Sequence, residues 1–149
     1  MRTLLHGCGK VEERMIGSGP GKLRRARVLV VDDDAGIRSM LLGALADSYL
    51  TEEAKDGYEA LAKLVDCPFE VVISDVEMPR LDGIGLAEAI VELFPYTGVI
   101  LMSGTHLCRQ EARDSGAEFF LQKPFSIEVL REMVSALAET AQRPIAAAT

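Results

Sequence analysis

No stretch of the 149-residue sequence approaches the roughly 18 to 20 consecutive apolar residues that cross a bilayer. Residues 1–21 are too polar and too rich in glycine for the apolar core of a secretory signal. These two absences lead to the expectation of a cytoplasmic protein with no membrane partner. Cysteine is scarce as well: Cys8, Cys67 and Cys108 are odd in number, scattered, and without CxxC spacing. That pattern argues against a disulfide framework or a zinc site and leaves ordinary reduced thiols as the expectation. Positive charge is missing where a nucleic acid would need it. Arg2, Lys10, Arg14, Lys22, Arg24, Arg25 and Arg27 against Glu12 and Glu13 put residues 1–27 at +5, so in a chain of net charge −7 the remainder carries −12. A region that acidic is suited to cations or basic protein surfaces rather than to a phosphate backbone.

What is present is a chain of one domain's length, 48% hydrophobic and 26% charged, which is enough apolar material for a real core. In residues 1–25, Gly7, Gly9, Gly17, Gly19, Pro20 and Gly21 interrupt any period, so a flexible basic extension is expected there. From Arg27 onward short β-rich runs (28–31, 49–54, 71–74, 98–102 and 118–121) alternate with helical stripes. Ile37, Met40, Leu41, Ala44 and Leu45 make the first stripe; Ala60, Leu61, Leu64 and Val65 the second; Ile84, Ala87, Ile90, Val91 and Phe94 the third. The helix around 107–115 is weakly patterned, and the last runs from Ile127 to Ala141. Gln142, Arg143 and Pro144 end it, leaving 142–149 as a short tail with no further domain expected. Strands alternating with helices predict an α/β domain over 26–141, because parallel strands need helical crossovers that cover both faces of the sheet.

In such sheets ligands bind outside the carboxyl ends of the strands. Asp32, Asp33 and Asp34 follow the first predicted strand, and Asp75 through Pro79 follow the third. Ser103, Gly104 and Thr105 follow the fourth; Lys123, Pro124 and Phe125 follow the fifth. Each segment alone reads as a turn or a helix cap, and Asp34 is assigned that role. Together they bring carboxylates, a hydroxyl and an ammonium to one rim, the groups that phosphoryl chemistry uses. Asp32, Asp33 and Asp75 would repel one another unless a cation neutralised them. Oxygen donors without histidine or cysteine favour Mg²⁺ or Mn²⁺. Asp75 would then act as the nucleophile on phosphorus, with Lys123 spreading the charge and Ser103 donating a hydrogen bond to a phosphoryl oxygen.

These segments resemble the receiver domain of bacterial response regulators, chemotaxis regulators included. The resemblance rests on Val28 through Asp34 with Arg38, on Val71 through Pro79 with Asp82 and Gly83, on Ile100 through Gly104, and on Phe120 through Phe125. It implies a doubly wound five-stranded parallel sheet of order 2-1-3-4-5 with five helices. It further implies Asp75 as phosphoacceptor, Asp33 as a direct metal ligand, Asp32 acting through metal-bound water, and the Glu77 backbone carbonyl as the remaining protein ligand. Ser103 becomes the switch hydroxyl, Phe120 the switch aromatic in place of the tyrosine often found there, and Lys123 the phosphate contact, followed by a cis bond to Pro124. Glu77 and Thr105 occupy positions that tune phosphoryl lifetime. The implied partners are a histidine kinase or histidine phosphotransfer protein upstream, and a protein target bound through the face of helix 4, strand 5 and helix 5. The chain itself is expected to be a phosphoacceptor that assists its own phosphorylation and slow autodephosphorylation, not an enzyme acting on other substrates.

Two other readings use the same residues. An aspartate-nucleophile phosphatase would resemble Asp-x-Asp-x-Thr/Val at the nucleophile, with a second acidic pair downstream; here position 77 is Glu, Pro79 ends the motif, and the acidic pair lies upstream. A receiver-like interaction module independent of phosphorylation would be expected to have lost the acceptor, the acidic pair or the lysine, and this chain has all of them.

Overall fold

Val28 and Val30 point to one side of the first strand and Leu29 and Val31 to the other, and all four are inaccessible to solvent. A strand buried on both faces in this way belongs at the centre of a parallel sheet. The computed structural model, which describes residues 25–105 and 109–141, bears this out. The elements are β1 (Arg27–Val31), α1 (Ala35–Leu45), β2 (Leu50–Ala54), α2 (Gly57–Asp66), β3 (Val71–Asp75), α3 (Gly83–Leu93), β4 (Gly98–Ser103), α4 (Arg109–Asp114), β5 (Phe119–Gln122) and α5 (Ile127–Ala141). All strand pairings are parallel, in the order β2-β1-β3-β4-β5. Fold class and strand order are as the motifs imply.

The sheet separates two cores. Leu29, Val31, Val72, Val99 and Leu101 pack with Leu64, Leu86 and Ile90 of α2 and α3. On the other face Val28, Val30, Ile73 and Ile100 pack with Leu41 and Leu45 of α1 and Leu130 and Val134 of α5. Alternation of period two along the strands is what divides the apolar residues between these layers. The helical stripes are narrower than the sequence pattern suggests: Met40, Val65 and Val91 sit at their solvent edges and are exposed.

Asp34 caps α1, its side chain accepting hydrogen bonds from the Gly36 and Ile37 amides, as assigned from sequence. Asp82 caps α3 through the Gly85 amide. Cys67, buried at the C-terminus of α2, is disulfide-bonded. This corrects the expectation of reduced thiols. Spacing along the chain reports only local cysteine pairs, whereas a fold can bring distant ones together; Cys8 and Cys108 lie outside the described residues. The expected extension over 1–25, apart from Arg25, and the tail over 142–149 also lie outside them. Among the described residues no helix is long and apolar enough to cross a membrane.

Candidate functional site

Strand register alone places the site. Val31 pairs with Ser74, so the residues that follow, Asp32 and Asp75, emerge side by side. Asp75 pairs with Met102, which sets Ser103 one step beyond it on β4. Ser103 in turn pairs with Gln122, and Lys123 follows. Four residues distant in sequence therefore reach one rim because the carboxyl ends of adjacent parallel strands are in step.

Lys123 Nζ donates to Asp75 Oδ1 at 3.2 Å and to Asp32 Oδ2 at 3.4 Å, bridging the two carboxylates. Asp32 and Asp75 are buried, and Asp33 is exposed. Each of the three offers a carboxylate oxygen, and those oxygens all lie within 4.8 Å of one another. Asp32 is further fixed by the Asp34 amide, which donates to its Oδ1 at 2.9 Å, and by Arg38, which donates to its backbone carbonyl at 2.7 Å. The donor set is entirely oxygen and strongly anionic, which suits a hard divalent cation of the Mg²⁺ or Mn²⁺ kind.

The electrostatics show the strain of collecting these charges. Burial, then the neighbouring Asp32 charge, push the Asp75 carboxyl up to about 6 despite Lys123. Burial also raises Asp32, against the Asp34 amide and the Lys123 ammonium. Lys123 is held above its ordinary value: burial would lower it, but the two aspartates outweigh burial. Burial likewise opposes the Glu77 carboxylate, yet hydrogen bonds from Ser103 and Thr105 keep it below the usual glutamate range.

A stability prediction follows from Asp75. A carboxyl whose folded value lies above its unfolded one favours the folded state at low pH, and that contribution is lost as pH rises through the folded value. For the metal-free protein the window runs from about pH 4 to just above 6. Asp75→Asn removes the penalty, so the metal-free variant is expected to exceed wild type in stability by about 2 kcal/mol at pH 8, with the gap closing toward pH 4. Calorimetric melting across that range checks the sign; a gap that widens on acidification would contradict it.

Sequence reasoning placed Asp32, Asp33, Asp75, Ser103 and Lys123 together, and the structure brings them together. The Lys123–Pro124 bond is cis. Phe120 is half-buried against the core on the α2–α3 face of the sheet. The hydroxyl of Ser103 donates to Glu77 Oε1, which also accepts from Thr105 Oγ1 at 2.5 Å. Missed altogether was Asp56. It is buried, caps α2 through the Glu59 amide at 2.8 Å, and binds Arg80 at 2.6 Å. Asp56 followed three residues later by Glu59 was the available signal, since that spacing marks a helix start. Arg80, in the left-handed region at φ 69°, thereby ties the loop after Asp75 to the start of α2.

The fold and this rim define a class, the doubly wound α/β domains with an acidic cluster at the carboxyl ends of their strands, and comparison with known proteins gives the family. The model of the response regulator receiver domain matches residues 28–135. The chain belongs to that family, the receiver domains of two-component systems. It is 33% identical over 114 residues to the response regulator MprA of Mycobacterium sp. (strain KMS), covering 74% of this chain and 50% of the relative. It is 36% identical over 140 residues to the protein-glutamate methylesterase/protein-glutamine glutaminase of Bdellovibrio bacteriovorus, covering 83% of this chain and 39% of that protein. The solved chemotaxis protein CheY4 of Vibrio cholerae superimposes with a TM-score of 0.70 at 36% identity, covering 76% of this chain and 98% of that one. The chain thus spans about half the length, or less, of the curated relatives it matches.

Proposed function

We propose that this receiver accepts a phosphoryl group on Asp75 from the phosphohistidine of a histidine kinase or histidine phosphotransfer protein, and signals the change to a protein partner. The observation that carries the reading is the bridge from Lys123 to Asp75 and Asp32, with Asp33 close enough to share a cation. An Asp75 oxygen attacks phosphorus as the phosphorus–nitrogen bond of the donor breaks, the histidine nitrogen leaving with the electron pair; the product is an acyl phosphate. With its carboxyl value near 6, Asp75 is mostly ionised at neutral pH and available as a nucleophile. Lys123 neutralises charge on the transferring group.

Asp32, Asp33, Asp75 and the Glu77 backbone carbonyl would hold Mg²⁺ or Mn²⁺. Bound there, the cation supplies Lewis-acid neutralisation of the carboxylates and of the phosphoryl oxygens. Ser103 and Phe120 form the switch. The α4, β5 and α5 face supports partner binding: Arg109, Arg113, Phe119, Phe120 and Met133 are among the residues lining a recess of about 230 Å³ there. Residues 26–141 form the receiver unit, flanked by 1–25 and 142–149.

Incubation with acetyl phosphate and Mg²⁺, followed by intact mass measurement, tests the acceptor. Wild type is expected to gain one phosphoryl group and Asp75→Ala none, and chelation of the metal is expected to prevent the gain. The same mass increase in Asp75→Ala would assign the chemistry elsewhere.

A further inference from the structure

Ser103 ends β4 fully buried, with its hydroxyl turned to Glu77 and Thr105. The Ser103 and Thr105 hydroxyls converge on a single oxygen, Glu77 Oε1, and lie 3.1 Å from each other. The Thr105 amide donates to Ser103 Oγ at 3.2 Å, closing the cluster. A hydroxyl has one proton to donate. While Ser103 gives it to Glu77, that proton is not available to any other acceptor at the rim.

We propose that Glu77 latches the switch: its carboxylate holds Ser103 and Thr105 in the resting conformation, and a phosphoryl group on Asp75 engages Ser103 only by displacing it. The inference rests on the reading of Asp75 as phosphoacceptor. Two effects oppose the switched state. Hydrogen bonds to a carboxylate are stronger than neutral ones, so the resting arrangement is favoured. Once released, Glu77 loses both donors and stands two residues from a phosphorylated aspartate, like charge beside like charge. Thr105 strengthens the hold by keeping a second donor on the same oxygen. Glu77 is therefore a positioning residue that acts through Ser103 and sets how far the resting protein is from its signalling form.

Removing a charge-assisted hydrogen bond should shift the switching equilibrium about tenfold toward the signalling form. Glu77→Ala does this at an exposed position, where folding is not at stake. Glu77→Gln keeps an oxygen acceptor of the same reach without the charge. The readout is the NMR position of β5 amides, Phe120 and Leu121 above all, on the line between free wild type and wild type saturated with beryllofluoride and Mg²⁺. Free Glu77→Ala is expected displaced toward the saturated end, Glu77→Gln between it and wild type, and the apparent affinity for beryllofluoride about tenfold higher in the alanine variant. Glu77→Ala resonances at β5 superposing on free wild type, with unchanged beryllofluoride affinity, would overturn the latch while leaving the acceptor intact. A wild type that gains no phosphoryl mass from acetyl phosphate would instead remove the reading of the site, and the latch with it.

Discussion

Asp33→Ala is expected to lower divalent-metal affinity by a hundredfold or more while leaving the melting temperature of the metal-free protein unchanged or slightly raised. The two halves of that expectation have one cause. Asp33 is exposed, and its carboxylate belongs to a cluster whose oxygens lie within 4.8 Å of one another. In the metal-free protein it contributes repulsion, so its loss costs the fold nothing. With a cation present it is the accessible member of the set, since Asp32 and Asp75 are buried and share Lys123. Substitution of groups that merely orient metal ligands commonly lowers affinity roughly 10- to 100-fold, and a direct ligand should exceed that. Mn²⁺ electron paramagnetic resonance, with Mg²⁺ as competitor, measures it. Affinity within about threefold of wild type would remove Asp33 from the ligand set.

The placement of the rim was legible because it depends on two patterns that sequence records well. Short apolar runs between helical stripes located the strands, and polar residues at their carboxyl ends located the chemistry. Once β1, β3, β4 and β5 pair in parallel and in step, Asp32, Asp75, Ser103 and Lys123 have no other place to go. What escaped was set by side-chain direction and loop geometry. Asp56 and Arg80 are 24 residues apart, and Arg80 adopts a left-handed backbone that no adjacent glycine announces. The Glu77 contact to Ser103 spans 26 residues and depends on which way an exposed carboxylate turns. The Cys67 disulfide likewise depends on a tertiary approach that spacing does not encode. Stripe edges such as Met40 and Val65 mislead because hydropathy does not tell the rim of a helical face from its centre.

Gly83 carries the largest expected effect on the fold, and its sign runs against helix propensity. It opens α3 immediately after the Asp82 cap, and there alanine would ordinarily gain about 1 kcal/mol over glycine. Here a Cβ would overlap the Asp75 carbonyl oxygen and stand 2.8 Å from Val76 Cα. Both are backbone atoms. Neither can rotate away, and the Gly83 amide is itself bound to the Val76 carbonyl at 3.0 Å, which holds the two segments together. Gly83→Ala must therefore push α3 from β3 or displace the peptide that carries the acceptor. A loss of roughly 3 kcal/mol in stability is expected, the upper range for overpacking, because the obstruction is main chain. Phosphorylation by acetyl phosphate should slow at least tenfold in the protein that remains folded, since a small displacement of Asp75 separates it from Lys123 and from its carboxylate neighbours. Gly43→Ala provides the contrast. That glycine lies on the exposed side of α1 with nothing within 4 Å of a built Cβ, and the substitution should stabilise by roughly 0.5 to 1 kcal/mol with no change in phosphorylation rate. Chemical denaturation of both variants, with intact-mass time courses, checks the pair; equal shifts in the two would mean that α3 is free to move away from Asp75.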